Sequence, residues 1–160
     1  KQIGPVLMFV NAEGTGLSGD SIQDIKLYWE DTIGDAIDWQ RFTIVDKGYG
    51  YFRSWMDHGI EESTIVQTIR YMYEQKVNDS RELKFPGFKQ RTPTISLIQG
   101  AVQEMDDDSL VTDWTSVAQL KKFSGAYILG GGRNECLREI ELLMNAFNIR
   151  YKRIDSLVYG

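Results

Sequence analysis

Residues 125–154 read GAYILGGGRNECLREIELLMNAFNIRYKRI, and this stretch decides the fold expected for the chain. The apolar residues 126–129 predict a short strand, and three glycines follow it. An amphipathic stretch beginning near Cys136 predicts a helix, and alternating apolar residues at 149–154 predict a second strand. Strand, tight turn, helix and strand in this order predict one βαβ unit with parallel strands.

The rest of the chain also alternates between strand and helix patterns. Apolar or β-branched runs predict three more strands, at Val6–Val10, 42–45 and 94–98. Apolar residues at helical spacing predict helices at 21–37, 61–75 and about 113–123. Five strands alternating with helices predict a single α/β domain over residues 1–160. We therefore expect a mainly parallel five-stranded sheet in a three-layer, doubly wound, Rossmann-like or flavodoxin-like fold.

The amino-acid composition argues against a membrane or a nucleic acid as partner. The chain has 160 residues, 42% hydrophobic and 26% charged, as in soluble globular proteins, and it holds no apolar run of the ~20 residues that a membrane span needs. A net charge of −5 disfavours nucleic-acid partners. A single cysteine excludes an intrachain disulfide and predicts a cytoplasmic location. One cysteine and one histidine argue against a zinc site. The carboxylates of Glu13, Asp20, Asp46 and residues 106–108 could bind Mg²⁺, but the acidic run is more typical of a solvated loop. No metal is therefore expected, and a homo-oligomer stays open.

Cys136 is the first candidate for chemistry, because it is expected at the beginning of a helix. The unpaired N–H groups there favour an anionic sulfur, the nucleophilic form of a thiol. Arg133 and these N–H groups would stabilise an oxyanion. A small buried cysteine packed against the sheet is the alternative interpretation. The adjoining turn, which follows the carboxyl end of a predicted strand, adds the ligand candidates Gly131, Gly132, Arg133 and Asn134.

Residues 112–154 contain four short motifs at the boundaries of predicted helices and strands. Thr112-Asp113-Trp114 opens a predicted helix, Gly130 ends a predicted strand, Cys136-Leu137 begins the next helix, and Asn148-Ile149 precedes the last strand. This order resembles that of the isochorismatase-like cysteine hydrolases, which include nicotinamidases. The resemblance implies a nucleophilic Cys136 with an aspartate and a lysine as companions.

The companions depart from that family's pattern. Asn11 stands where the resemblance implies the aspartate, and Glu13 follows two residues later. The segment before Thr112 holds no lysine, so Lys47 would have to serve from another loop. Glu13 and Lys47 are therefore the acid–base candidates beside Cys136.

Residues 13–19, EGTGLSG, form the second candidate, between a predicted strand and a predicted helix. Their glycines spell GxGxxG, and Asp46 ends the second strand where a ribose-binding acid would lie. The group Thr15, Gly16 and Ser18 also resembles the flavodoxin phosphate loop, and this resemblance implies FMN as a cofactor. Tyr49, Tyr51 or Trp114 would then stack on the flavin. A plain strand-to-helix turn explains the same residues.

Three functions remain open at this point. The first is a small-molecule enzyme of cysteine-hydrolase type, or a degenerate version of one, with Cys136 as nucleophile. The second is a flavodoxin-like protein that binds FMN or another phosphate-bearing ligand. The third is a non-catalytic interaction protein on the same scaffold, because a fold alone does not decide its function.

Overall fold

The computed structural model describes residues 1–10, 22–47, 51–87 and 91–160. The chain divides into two compact units, Lys1–Tyr49 (unit 1) and Gly50–Gly160 (unit 2), and each is described by itself. A single folding domain over the whole chain stays a prediction, because compactness does not decide whether two units fold together. No helix in the described residues is both long and apolar enough to cross a membrane.

Unit 1 contains strand β1 (Val6–Val10), helix α1 (Ile22–Ile33) and strand β2 (Phe42–Asp46). β1 and β2 pair in parallel, with Val6 opposite Phe42 and Val10 opposite Asp46. Helix α1 stops four residues earlier than its apolar spacing predicts, because Gly34 turns the backbone to a φ of +72°. The two predicted strands and the helix between them are confirmed.

Unit 2 is mainly helical. Its helices are α2 (Arg53–Asp57), α3 (Glu62–Gln75), α4 (Pro93–Glu104), α5 (Trp114–Leu120) and α6 (Cys136–Ala146), and its strands are β3 (Gly125–Ile128) and β4 (Arg150–Arg153). β3 and β4 pair in parallel, with Gly125 opposite Arg150 and Ile128 opposite Arg153. The βαβ unit predicted for residues 125–154 is thus confirmed as β3, α6 and β4.

The core of unit 2 lies around α3, which packs against both α4 and α6. The largest fully buried apolar side chains here include Trp55, Ile65, Ile69, Met72, Leu142 and Leu143. Each buried side chain of this size stabilises the fold by about 1.5–3 kcal/mol. Arg70 of α3 also donates from Nε to the carbonyl of Ala146 at 2.8 Å, which satisfies an open carbonyl at the end of α6.

The predicted five-stranded, three-layer sheet is wrong. In the described residues the strands form two separate two-stranded sheets, β1-β2 and β3-β4. The expected strand at 94–98 lies inside α4, whose beginning is fixed by Thr92 and Pro93. The Thr92 hydroxyl accepts a hydrogen bond from the Ile95 N–H at 3.2 Å, and Pro93 occupies the first turn. This cap and proline outweigh the β-branched residues that predict a strand.

Candidate functional site

Cys136 is the first residue of α6, and its thiol is exposed. Arg53, the first residue of α2, donates from Nη2 to the Cys136 sulfur across 3.6 Å. A helix beginning and a guanidinium therefore meet at one sulfur atom. The predicted position of Cys136 at the beginning of a helix is confirmed, and the alternative of a buried filler is wrong.

Glu139 fixes the position of Arg53 from one turn further along α6. Its carboxylate is fully buried, and its Oε2 accepts hydrogen bonds from the N–H groups of Tyr51 at 2.6 Å and Phe52 at 2.9 Å. Its Oε1 lies 4.0 Å from Nε of Arg53. These charge-assisted bonds join α6 to the beginning of α2, so the guanidinium is held next to the sulfur.

Sequence reasoning missed both Arg53 and Glu139. In the sequence Glu139 is recognisable only as a carboxylate in the first turn of a predicted helix. A carboxylate at that position usually faces solvent and complements the helix dipole, so it does not suggest a buried charge. Its hydrogen-bond partners lie 87 and 88 positions earlier in the chain, so no local pattern joins them. Only the packing of α2 on α6 reveals that Arg53 is the cation beside the thiol.

The arrangement stabilises negative charge without moving protons. A guanidinium keeps its proton at every ordinary pH, and its planar N–H groups bind anions in a fixed direction. Arg53 therefore suits an anionic sulfur, or the oxygen that gains charge when sulfur attacks a carbonyl group.

The glycine turn lies against the last residues of the chain. The Gly130 N–H donates to the Leu157 carbonyl at 2.8 Å, and the Arg133 N–H donates to the Tyr159 carbonyl at 2.9 Å. The Tyr159 N–H in turn donates to the Gly131 carbonyl at 3.2 Å. Gly132 forms a parallel bridge with Tyr159. Residues 157–160, which we call the C-terminal tail, thus occupy hydrogen-bonding groups of the predicted ligand turn.

Arg133, the predicted oxyanion partner of Cys136, is directed elsewhere. Its Nη1 donates to Asp155 at 3.1 Å and its Nε donates to the Gly160 carbonyl at 3.3 Å. Hydrogen bonding from Arg153 and the nearby charge of Arg133 hold the pKa of the Asp155 carboxyl below its ordinary value. Asn134 is exposed in the same turn. In the described residues Arg53, and not Arg133, is the arginine that donates to Cys136.

The remaining predicted site residues belong to unit 1. Asp46 ends β2 opposite Val10, and the Lys47 N–H donates to the Val10 carbonyl at 2.7 Å. Asp46 therefore ends its strand as predicted. Glu13, Thr15, Gly16 and Ser18 lie outside the described residues, so the roles predicted for them stay predictions.

The FMN hypothesis also named three aromatic residues. Tyr49 lies outside the described residues, and Tyr51 is buried at 8% exposure. Burial raises the pKa of the Tyr51 phenol to about 12. Trp114 donates from its indole N–H to the Val77 carbonyl at 2.7 Å. FMN binding stays a prediction.

Comparisons of the chain with protein-family models, with curated proteins and with solved structures give no match.

Proposed function

We propose that the chain is a small-molecule enzyme of cysteine-hydrolase type, with Cys136 as nucleophile and Arg53 as the cation that stabilises negative charge. The observation that supports this proposal is the 3.6 Å contact between the Arg53 guanidinium and an exposed thiol. The buried Glu139 adds support, because its bonds to the backbone of residues 51 and 52 keep the guanidinium in place. Prepositioned cations of this kind lower the barrier for reactions that build up negative charge.

The proposed reaction is a two-step acyl transfer to water. The Cys136 thiol first releases its proton to water. Its anionic sulfur then attacks the carbonyl carbon of an ester or thioester, and an electron pair of the C=O bond moves to the oxygen near Arg53. That pair then reforms the C=O bond, the leaving group departs as an anion, and an enzyme thioester remains. Water attacks this thioester, which yields the free acid and restores the thiol. A poorer leaving group needs a proton donor, for which Glu13 and Lys47 stay the predicted candidates.

The first experiment measures the reactivity of the thiol. Cys136 is alkylated at neutral pH with iodoacetate, which is anionic, and with iodoacetamide, which is neutral. We expect Arg53→Gln to slow the iodoacetate reaction by about two- to fivefold, as for a partly exposed ion pair, and the iodoacetamide reaction by less. Arg133→Gln is the matched control, because it removes a neighbouring arginine that pairs with Asp155. Equal rates in the wild-type protein and both variants contradict the role of Arg53.

The second experiment measures turnover. The protein is mixed with a panel of chromogenic esters and thioesters whose leaving groups absorb light. We expect a burst of leaving group equal to the amount of enzyme, followed by slower turnover, because the thioester must be hydrolysed before the next cycle. Cys136→Ala removes both phases if the sulfur is the nucleophile. Full hydrolysis by Cys136→Ala would overturn the proposal.

A further inference from the structure

Three aromatic rings of unit 2 contact one another, and an ammonium group lies near two of them. Tyr73 lies in the last turn of α3, Trp114 begins α5, and Phe147 follows α6. The ring centroids are 5.4 Å apart for Tyr73 and Trp114, 5.2 Å for Tyr73 and Phe147, and 6.2 Å for Trp114 and Phe147. We call this group the aromatic cluster.

The ammonium group is that of Lys121, which follows α5. Its Nζ lies 4.2 Å from the centroid of the Tyr73 ring and 5.4 Å from that of Phe147. It also donates a hydrogen bond to the Tyr73 hydroxyl. Both distances are within the ~6 Å at which a ring attracts a cation through its quadrupole. Two rings of the aromatic cluster, those of Tyr73 and Phe147, therefore already contact a cation, and that cation is covalently part of the chain.

The aromatic cluster is fixed in shape and open to solvent. The indole N–H of Trp114 donates to the Val77 carbonyl, which holds its ring in place. The Tyr73 side chain is 40% exposed, and Lys121 is exposed as well. A lysine has a long flexible stem, so Lys121 can turn its ammonium group into solvent without any movement of the backbone. Withdrawal of Lys121 would leave a preformed aromatic surface at which another cation can bind.

We propose that the aromatic cluster is a binding site for quaternary or methylated ammonium groups, and that Lys121 is its built-in competing ligand. Aromatic surfaces recognise such groups through the same cation–π attraction that holds Lys121. A primary ammonium is strongly hydrated and loses this hydration at the rings, whereas the methyl groups of a quaternary ammonium pack against them. A quaternary ammonium is thus the cation best able to displace Lys121.

The test titrates the 160-residue chain with tetramethylammonium chloride and follows the methyl resonance of the probe by proton NMR. We expect saturable binding with an upfield shift, because the methyl groups lie over aromatic faces. Lys121→Ala should bind about two- to fivefold more tightly, since the competing exposed cation–π interaction is removed. Lys122→Ala is the matched control, because its ammonium group pairs with Gln119 while the change in charge is the same.

Two variants distinguish the contribution of the aromatic rings to binding from that of the Tyr73 hydroxyl group. Tyr73→Phe keeps the ring and removes the acceptor of the Lys121 hydrogen bond, so binding should persist or tighten. Phe147→Leu removes one ring and should weaken binding, with circular dichroism used to confirm its fold. Absence of saturable binding in both the wild-type protein and Lys121→Ala overturns the proposal. Equal affinity in Lys121→Ala and Lys122→Ala overturns the role of Lys121.

A second arm identifies the source of the ammonium group. Choline represents free quaternary amines, and a short peptide with one trimethyllysine represents modified polypeptides, with the unmodified peptide as its control. Tighter binding of choline assigns the site to a small molecule, and tighter binding of the trimethyllysine peptide assigns it to a polypeptide. Equal binding of the modified and unmodified peptides contradicts recognition of the methylated group.

Discussion

Glu139 is a carboxylate without contact to solvent, and a buried charge of this kind is tolerated only when hydrogen bonds replace its lost hydration. Its Oε2 accepts two backbone N–H groups, and its Oε1 faces Arg53. The Glu139 carboxylate thus regains in hydrogen bonds what it loses in hydration. It also satisfies two backbone N–H donors and positions the Arg53 cation. Its removal should therefore affect stability and thiol reactivity together.

We expect Glu139→Gln to lower the free energy of unfolding by about 1–3 kcal/mol, because the charge is lost and an amide group is left beside the buried donors. The measurement is urea-induced unfolding followed by circular dichroism. Glu135→Gln, at an exposed position just before α6, is the control and should change stability by no more than ~0.5 kcal/mol. Equal unfolding midpoints for the two variants would show that Glu139 does not have this role.

The raised pKa of the buried Tyr51 phenol should make the stability of the protein depend on pH in alkaline solution. Burial raises its pKa in the folded protein from the ordinary value of 10.0 to about 12. A phenol of raised pKa contributes stability below pH 10, and this contribution is lost as pH rises from 10 toward 12, because the unfolded chain releases the proton first. We expect Tyr51→Phe to flatten the decline in unfolding free energy over this range, by up to ~1.4 kcal/mol per pH unit. Identical slopes for the two proteins would contradict the burial of the phenol.

At the scale of elements, substitutions in α4 can test whether residues 94–98 form a helix or a strand. Thr92→Ala removes the hydroxyl that accepts the Ile95 N–H, so we expect a loss of about 1 kcal/mol of stability. Thr94→Ala, two residues into the helix, should be neutral or stabilising, because alanine is the better helix former. A strand at 94–98 would give the reverse order. Thermal unfolding of the two variants distinguishes these outcomes.

Helices and strands could be predicted from the sequence where the spacing of apolar residues and the residues at the ends of the segment indicate the same structure. Helix α3 shows this, because Ile65, Ile69 and Met72 recur at helical spacing and all three are fully buried. Residues 94–98 show the opposite case, since β-branched side chains suggest a strand while the preceding Thr92-Pro93 begins a helix. The two βαβ units follow from such local patterns. Their union into one five-stranded sheet was an inference from alternation alone, and it failed with the third strand.

The candidate site was predictable only in part, for a similar reason. The position of Cys136 follows from the adjacent helix pattern, whereas its contact with Arg53 joins residues 83 positions apart. The orientation of Arg133 depends on Asp155 and Gly160, which no motif connects to it. Contacts between distant segments depend on packing, and packing is not encoded in the spacing of residue types along one helix.

At the scale of the whole molecule, the two units differ in how much core they hold. Among the buried apolar side chains of the described residues, three belong to unit 1, namely Ile25, Phe42 and Val45, and the others belong to unit 2. We therefore expect the fragment of residues 50–160 to fold alone with a cooperative urea transition. A fragment that unfolds without cooperativity would show that unit 2 requires residues 1–49.

The hydrogen bonds of the C-terminal tail have a consequence for measurements in solution. The amide hydrogens of Gly130 and Arg133 are directed at carbonyls of residues 157 and 159, so they exchange with deuterated solvent only when the tail detaches. Deuterium uptake at these two amides therefore reports the lifetime of the attached tail. Both amides lie in the turn that leads into Cys136, and their deuterium uptake can be followed by NMR or mass spectrometry.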